Sequence, residues 1–156
     1  MTTRAPRRDS VENRAGILDA ARATLATDPR ASIDVIARSA GLSRRTLYGH
    51  FDDREALIRE LISVGAQRFN AIAESVTDTD SRIALARLAA RLWQEAAHVQ
   101  VAAALALDEA HVQHTADALA PLRRTVAALA RRGQEDGSFR TCLLYTSPSP
   151  RDQRGS

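Results

Sequence analysis

Two short amphipathic segments separated by Gly41 constrain the fold of this chain more than any other feature. Ser32 is a competent N-cap for a helix over residues 33–40, and Gly41 supplies the left-handed position that ends it. Ser43 caps a second helix that runs to about His50. Two short helices joined by a glycine-containing turn indicate a helix-turn-helix, a motif whose second helix enters the major groove of DNA.

The second of these segments carries more polar side chains than a small core requires. Leu47 and Phe51 lie four residues apart and therefore face the core together. The remaining positions face outward, namely Arg44, Arg45, Thr46, Tyr48, Gly49 and His50. Two of them have alternative interpretations, because Tyr48 also fits as a core aromatic residue and His50 as a C-terminal helix cap. As a group, the polar side chains suit the phosphates and base edges of DNA.

The composition favours an all-α fold throughout. Ala, Leu and Arg dominate, whereas only 4% of the residues are aromatic. A first helix is predicted from the N-cap Ser10 to just before Asp28. A fourth helix is predicted from Arg54, behind the cap Asp53, towards Ile72.

Periodic apolar residues predict three further helices, over residues 81–98, 101–109 and 116–132. Pro121 either opens the last of these near its first position or kinks it, and Gly133 is expected to end it. The second half of the chain is therefore also predicted to be helical.

Charge is distributed unevenly along the chain. Residues 1–59 carry a net charge of +3, whereas residues 60–141 carry −1. A basic front segment and a near-neutral back segment fit a nucleic-acid module joined to a core-forming or ligand domain. The sequence contains neither an apolar run of membrane-spanning length nor the apolar region of a signal peptide, so we expect a cytoplasmic protein.

The composition changes abruptly after Thr141. The single cysteine, Cys142, falls in this tail, so neither an internal disulfide framework nor a thiolate metal cage is expected. Residues 142–156 resemble the translation of a transposase-based sequencing-library adapter rather than a native segment; the alternative is a natural tail with Ser-Pro sites. We expect the native part to end at Thr141, with its final helices missing.

Two stretches, "ILDAARATLA" and "SIDVIARSAGLSRRTLYGHFDDREAL", together resemble the DNA-binding domain of TetR-family transcriptional regulators. The resemblance covers about residues 14–60, without a gap, and implies a three-helix DNA-binding domain. The family's usual Lys at the start of helix four is Arg54 here, which keeps the charge but changes the hydrogen-bond geometry.

The resemblance also implies individual roles on DNA. It places three residues of the recognition helix at base-contacting positions, and arginine can bind guanine O6 and N7 with two hydrogen bonds. These three are Arg44, Arg45 and Gly49. It places others at phosphate-contacting positions, namely Ser32, Thr46, Tyr48, His50 and Arg54. Residues 1–13 are expected to be a flexible basic arm, which either enters the minor groove or stays disordered.

For residues 61–141 the resemblance implies a partial ligand-binding and dimerisation domain. Family members bind operator DNA as homodimers and release it when a small-molecule effector binds between the helices. Trp93 and the stretch "VQVAAALAL" are candidates for the ligand pocket, although their helical spacing makes an ordinary core position the preferred interpretation.

Other kinds of site have weaker support. Asp108, Glu109, His111 and His114 have metal-ligand spacing, but a solvated helix end is the preferred interpretation, and no metal or cofactor is expected. No nucleophile with a partner base and no phosphate-binding glycine loop is present, which argues against an enzyme. The sequence therefore favours a ligand-responsive repressor, with a helical DNA-binding module that lacks an effector as the alternative.

Overall fold

The computed structural model describes residues 6–139, with side chains from residue 14 onward. Within that range the chain forms seven α-helices, and a 3₁₀ turn at Glu109–His111 precedes the sixth. The helices are α1 (Pro6–Thr27), α2 (Ile33–Ser39), α3 (Arg44–Tyr48), α4 (Arg54–Glu74), α5 (Ser81–Ala106), α6 (Val112–Ala118) and α7 (Ala120–Glu135). The predicted all-α fold is confirmed.

Helix α1 ends at Thr27, directly before Asp28 as predicted, but it begins at Pro6 rather than after Ser10. Proline is tolerated in the first turn of a helix, where a missing N–H costs no hydrogen bond, so the helix extends past the predicted cap. Residues 6–13 of the basic arm that the sequence predicts as flexible are part of α1. The side chains of these residues, and residues 1–5 altogether, lie outside the part of the chain that the structure describes.

The helix-turn-helix forms where the sequence predicts it. Ser32 accepts a hydrogen bond from the Val35 N–H at 3.4 Å, and Ser43 accepts one from the Thr46 N–H at 3.1 Å, so each helix has its predicted cap. Gly41 adopts φ +68°, a left-handed conformation that lets the chain reverse between α2 and α3. Helix α3 ends at Tyr48, two residues before the predicted end at His50.

The first four helices share one apolar core. It includes Ile17 of α1, Ile36 of α2, Leu47 of α3 and Leu57 of α4, all of which are fully buried. The predicted inward position of Phe51 is confirmed, since it is 3% exposed in the same cluster. These contacts fix α3 with its opposite face directed away from the core.

Helix α4 connects the two halves of the molecule. Its cap is Asp53, whose carboxylate accepts a hydrogen bond from the Ala56 N–H at 2.6 Å. Near its end, Ala73 joins Ala84 and Leu88 of α5 and Leu129 of α7 in a second apolar cluster. The domain boundary that the sequence suggests between residues 60 and 61 therefore falls inside one continuous helix.

The second half differs from the sequence prediction in its helix boundaries. The two helices predicted over residues 81–98 and 101–109 are one helix, α5, because neither Gly nor Pro interrupts the chain between them. The helix predicted over residues 116–132 is also wrong in its bounds, since α6 and α7 divide between Ala118 and Ala120. Pro121 opens α7 in its first turn, which settles the alternative between opening and kinking.

Polar contacts attach the end of α7 to the start of α5. Ser81 is fully buried, and its hydroxyl donates to Asp136 Oδ2 at 3.0 Å while it accepts from Arg132 Nε at 3.0 Å. Arg132 also donates to the Asp78 carbonyl at 2.8 Å. Hydrogen bonds from the side chain and the backbone N–H of Ser138 lower the pKa of Asp136, so this carboxylate stays charged as an acceptor.

Gly133 lies within α7 and does not end it, contrary to the sequence prediction. The reversal comes four residues later at Gly137, with φ +74°. The Phe139 N–H donates to the Gly133 carbonyl at 2.7 Å, and the Phe139 ring lies on the Gly133 backbone where a Cβ atom would overlap it. The Phe139 ring can occupy this space because residue 133 has no side chain.

Gly133→Ala is expected to destabilise the protein, although alanine is the better helix former. The added methyl group must displace the Phe139 ring, and overpacking of this kind costs about 1–3 kcal/mol. Gly16→Ala in α1 is the matched control, because no atom lies within 4 Å of its Cβ position. That variant is expected to gain up to about 1 kcal/mol of unfolding free energy. Urea denaturation measures both changes, and a gain in both would show that the Phe139 contact contributes nothing.

Candidate nucleic-acid interface

The outward face of α3 is set by what the helix buries. Leu47 is fully buried, and the backbone turns at Phe51, whose N–H donates to the Leu47 carbonyl at 3.0 Å. Most of the other residues from Arg44 onward are exposed, including Arg45 and Tyr48. Tyr48 is 39% exposed, so the alternative interpretation as a core aromatic residue is wrong.

Arg44 is held by two neighbours. Its Nε atom lies 2.9 Å from Oδ1 of Asp34 in α2, and its guanidinium carbon lies 5.7 Å from the centre of the Tyr48 ring. A hydrogen bond with Tyr48 and attraction to Asp34 raise the pKa of Arg44 above its already high ordinary value. The guanidinium is therefore a permanent cation with a defined place on the surface.

The other predicted base-contacting residues are on the same helix. Arg45 is exposed, and within residues 14–139 it makes no ion pair. Gly49 is the C-cap of α3, and a Cβ atom there would lie 3.2 Å from the Thr46 carbonyl oxygen. A larger residue would crowd the last turn, so glycine leaves this end of the helix without a side chain.

Two of the predicted phosphate-contacting residues take part in helix caps. The Thr46 hydroxyl lies 2.8 Å from the Ser43 hydroxyl, beside the cap of α3. Ser32 caps α2 two residues before Asp34, the residue that contacts Arg44. Ser32, Thr46 and Tyr48 are all exposed on the helix-turn-helix.

His50 follows α3 and is half buried. Its carbonyl oxygen accepts a hydrogen bond from Arg14 Nη1 at 2.8 Å, and the Arg14 guanidinium lies 4.3 Å from the centre of the Phe51 ring. Arg14 thus attaches α1 to the end of the recognition helix, a role that the sequence did not indicate. The separation of 36 residues between Arg14 and His50 leaves no local pattern that could reveal it.

The Arg54 side chain makes hydrogen bonds to other residues of the protein. Its Nε atom donates to the Ala31 carbonyl at 3.0 Å, its Nη2 atom to the Pro29 carbonyl at 2.8 Å, and Nη1 lies 3.3 Å from Glu55 Oε1. The side chain therefore fixes the loop between α1 and α2. Its phosphate contact stays a prediction, and only the donors not used by the loop are available for it.

The prediction that Trp93 lies in the core or in a ligand pocket is wrong for the described chain. Trp93 is 81% exposed on α5. Leu88 and Val99 mark the buried face of this helix, with Leu92 half buried beside it. Residue 93 is one position, about 100°, away from that face, so its indole ring points to solvent.

A cavity of about 200 Å³ does lie between α4, α5 and the segment that follows them. Ile62 and Phe69 line it from α4, and Ala102 and Ala106 from α5. Part of the stretch "VQVAAALAL" therefore lines a cavity. Thr115 supplies the one polar side chain among the lining residues, so the space suits an apolar molecule.

Two histidines connect the second half to α4. His111 is 6% exposed, with Nε2 3.3 Å from Glu55 Oε2, and Nε2 of His114 lies 2.9 Å from the Ser63 hydroxyl. Asp108 caps the 3₁₀ turn by accepting from the Ala110 N–H at 3.0 Å. The predicted solvated helix end is therefore wrong for His111. No group of three or more potential ligands among the described residues is arranged to hold a metal ion.

The helices in residues 6–139 have no stretch that combines the length and the apolar character needed to cross a membrane.

Comparison with known proteins finds a family match within the first half of the chain. Residues 17–61 match the sequence model of the family described as "Bacterial regulatory proteins, tetR family". No curated protein and no solved structure matches the chain significantly. The matched residues run from the buried Ile17 of α1 to Leu61 of α4 and enclose the whole helix-turn-helix. Residues 17–61 are therefore similar to the DNA-binding domain of TetR-family regulators, and this similarity supports a DNA-binding transcriptional regulator.

Proposed function

We propose that the protein is a ligand-responsive repressor that binds operator DNA through α3. The observation that carries this proposal is the exposed face of α3, where Arg44, Arg45 and Tyr48 project from a helix whose opposite side is fully buried at Leu47. Side chains held in this way on a rigid helix suit insertion into the major groove. The cytoplasm is its expected location.

The proposed roles within the interface rest on the family resemblance and on residue type. Arg44 and Arg45 open α3, where guanidinium groups reach guanine edges, while Gly49 allows close approach at the helix end. Thr46, Tyr48 and Ser32 offer exposed hydroxyl groups, and His50 an imidazole, to phosphate oxygens. Phosphate contacts hold the helix in register, and base contacts provide the specificity.

Arg44→Ala is expected to relax the preference at one base pair, by about tenfold or more, because a bidentate contact to guanine is lost. Tyr48→Phe keeps the ring but removes the hydroxyl, and is expected to weaken binding equally for all sequences. Selection from a pool of randomised duplex DNA, followed by titration of the enriched and scrambled duplexes, measures both effects.

Arg124→Ala in α7 is the control for the lost charge, since this exposed residue lies in the other half of the chain. It is expected to leave the base preference unchanged. Equal losses on enriched and scrambled DNA for Arg44→Ala would refute its base-contacting role.

The apolar cavity supports ligand control. Its walls belong to α4 and α5 and to residues Thr115 and Leu119, and α6 contacts α4 through His114. Glu55, the partner of His111, is adjacent to Arg54, which fixes the loop before α2. A molecule that separates the cavity walls would thereby shift His111 and His114, which contact the residues of α4. A DNA-binding module without an effector is the alternative.

Ala103→Trp fills the cavity and is expected to abolish any change in DNA affinity that small apolar or aromatic compounds cause in the unmodified protein. Ala127→Trp, at an exposed position of α7 outside the cavity, is the control and is expected to retain the response. Titration of the enriched duplex with each variant, with and without each compound of a panel, measures the change in DNA affinity. A panel that never changes DNA affinity would favour the module without an effector.

We further propose that the chain is C-terminally truncated and that the full product is a homodimer. The support is the outer face of α5, where apolar residues recur at spacings of three and four without cover from any described residue. These are Ile83, Ala86, Ala90, Trp93 and Ala97. Further native helices beyond Thr141 would bury this face, in place of the adapter-like tail.

The 156-residue chain is accordingly expected to form no tight dimer in sedimentation velocity, and to bind DNA weakly because a single recognition helix lacks avidity. A chain restored from the source locus, sequenced across the codon for Thr141, is expected to sediment as a dimer. A tight dimer of the 156-residue chain, or a locus that encodes residues 142–156, would contradict the proposed truncation.

A further inference from the structure

We propose that Asp34 of α2 determines DNA specificity by positioning Arg44. This inference rests on the proposed base contact of Arg44. No pattern in the sequence singles out Asp34, which lies ten residues before Arg44 and on a different helix. The fold nevertheless brings Asp34 Oδ1 to 2.9 Å from Arg44 Nε.

The ion pair restricts a side chain that would otherwise be mobile. The Arg44 side chain is 68% exposed, and an exposed arginine loses considerable conformational entropy when it is fixed by a ligand. Here the Asp34 carboxylate and the Tyr48 ring, 5.7 Å from the guanidinium carbon, hold the group before DNA arrives. Part of the entropic cost of ordering Arg44 is thereby incurred in the free protein, while most of the side chain stays exposed to a ligand.

Asp34 also depends on Arg44. Its Oδ1 atom is shielded from solvent and accepts no hydrogen bond from the described residues, so the adjacent guanidinium provides its electrostatic compensation. The carboxylate lies in the first turn of α2, two residues after the cap Ser32. An Arg44 that turned away to a phosphate would leave this oxygen without compensation. The pair therefore favours the orientation in which Arg44 keeps its place at the start of α3.

The same carboxylate acts against non-specific binding. A negative charge next to the phosphate-facing surface repels the DNA backbone of any sequence, whereas a correct base contact by Arg44 is retained. Asp34 thus lowers affinity for all DNA and increases the difference between right and wrong sites. Such a residue is expected to reduce binding strength and raise selectivity together.

Asp34→Asn tests the inference in the chain restored from the source locus, with randomised duplex DNA as the probe. It is expected to raise affinity for the unselected pool and to lower the preference at the base pair that Arg44 contacts by about fivefold or more. Asp34→Glu, which keeps the charge, is expected to retain most of that preference. Asp117→Asn in α6 removes an equal charge at an exposed site and is expected to change neither quantity.

The Arg44→Ala background separates positioning from a structural role. There, Asp34→Asn is expected to change no base preference, since the side chain that it positions is gone. Circular dichroism melting establishes that each variant is folded. An unchanged base preference in Asp34→Asn, with Arg44 present, would overturn the inference while leaving the proposed function intact. If the unmodified chain enriches no sequence, the base contact of Arg44 fails first, and the inference fails with it.

Discussion

Burial of Leu47 is the interaction on which the proposed DNA-binding surface depends. Helix α3 has only five residues, too few to be stable in isolation, so it exists because its apolar side is held by the core. Leu47 lies in one fully buried cluster with Ile36 of α2 and Leu57 of α4. Arg44 and Tyr48 are exposed as a consequence, since they lie on the face of the helix that this packing leaves outside.

Helix α4 extends that constraint to the rest of the chain. Leu57 and Leu61 belong to the first cluster, whereas Ala73 belongs to the second, so one helix of 21 residues is rigidly attached at both ends. Its first turn also carries Arg54, bound to the loop before α2, and Glu55, beside His111. We propose this turn as the place where the cavity-bearing half acts on the DNA-binding domain.

Local signals explain which predictions hold. Ser32, Ser43 and Asp53 cap helices as predicted, and Gly41 takes the left-handed conformation, because caps and tight turns involve residues within four positions of each other. Periodicity alone misplaced Trp93, since apolar residues occupy more than one face of α5. The preference of glycine for helix ends failed at Gly133, where a ring six residues later occupies the space that a side chain would fill.

The sequence by itself therefore determined the helical fold, the helix-turn-helix and the set of side chains on its recognition helix. Those features follow from backbone conformation and the spacing of apolar residues along one segment. Only the tertiary structure decided that Asp34 meets Arg44, that Arg14 reaches His50 and that His111 is buried against Glu55. Each of these contacts joins different helices, and their positions follow from packing of the whole core, which no local pattern encodes.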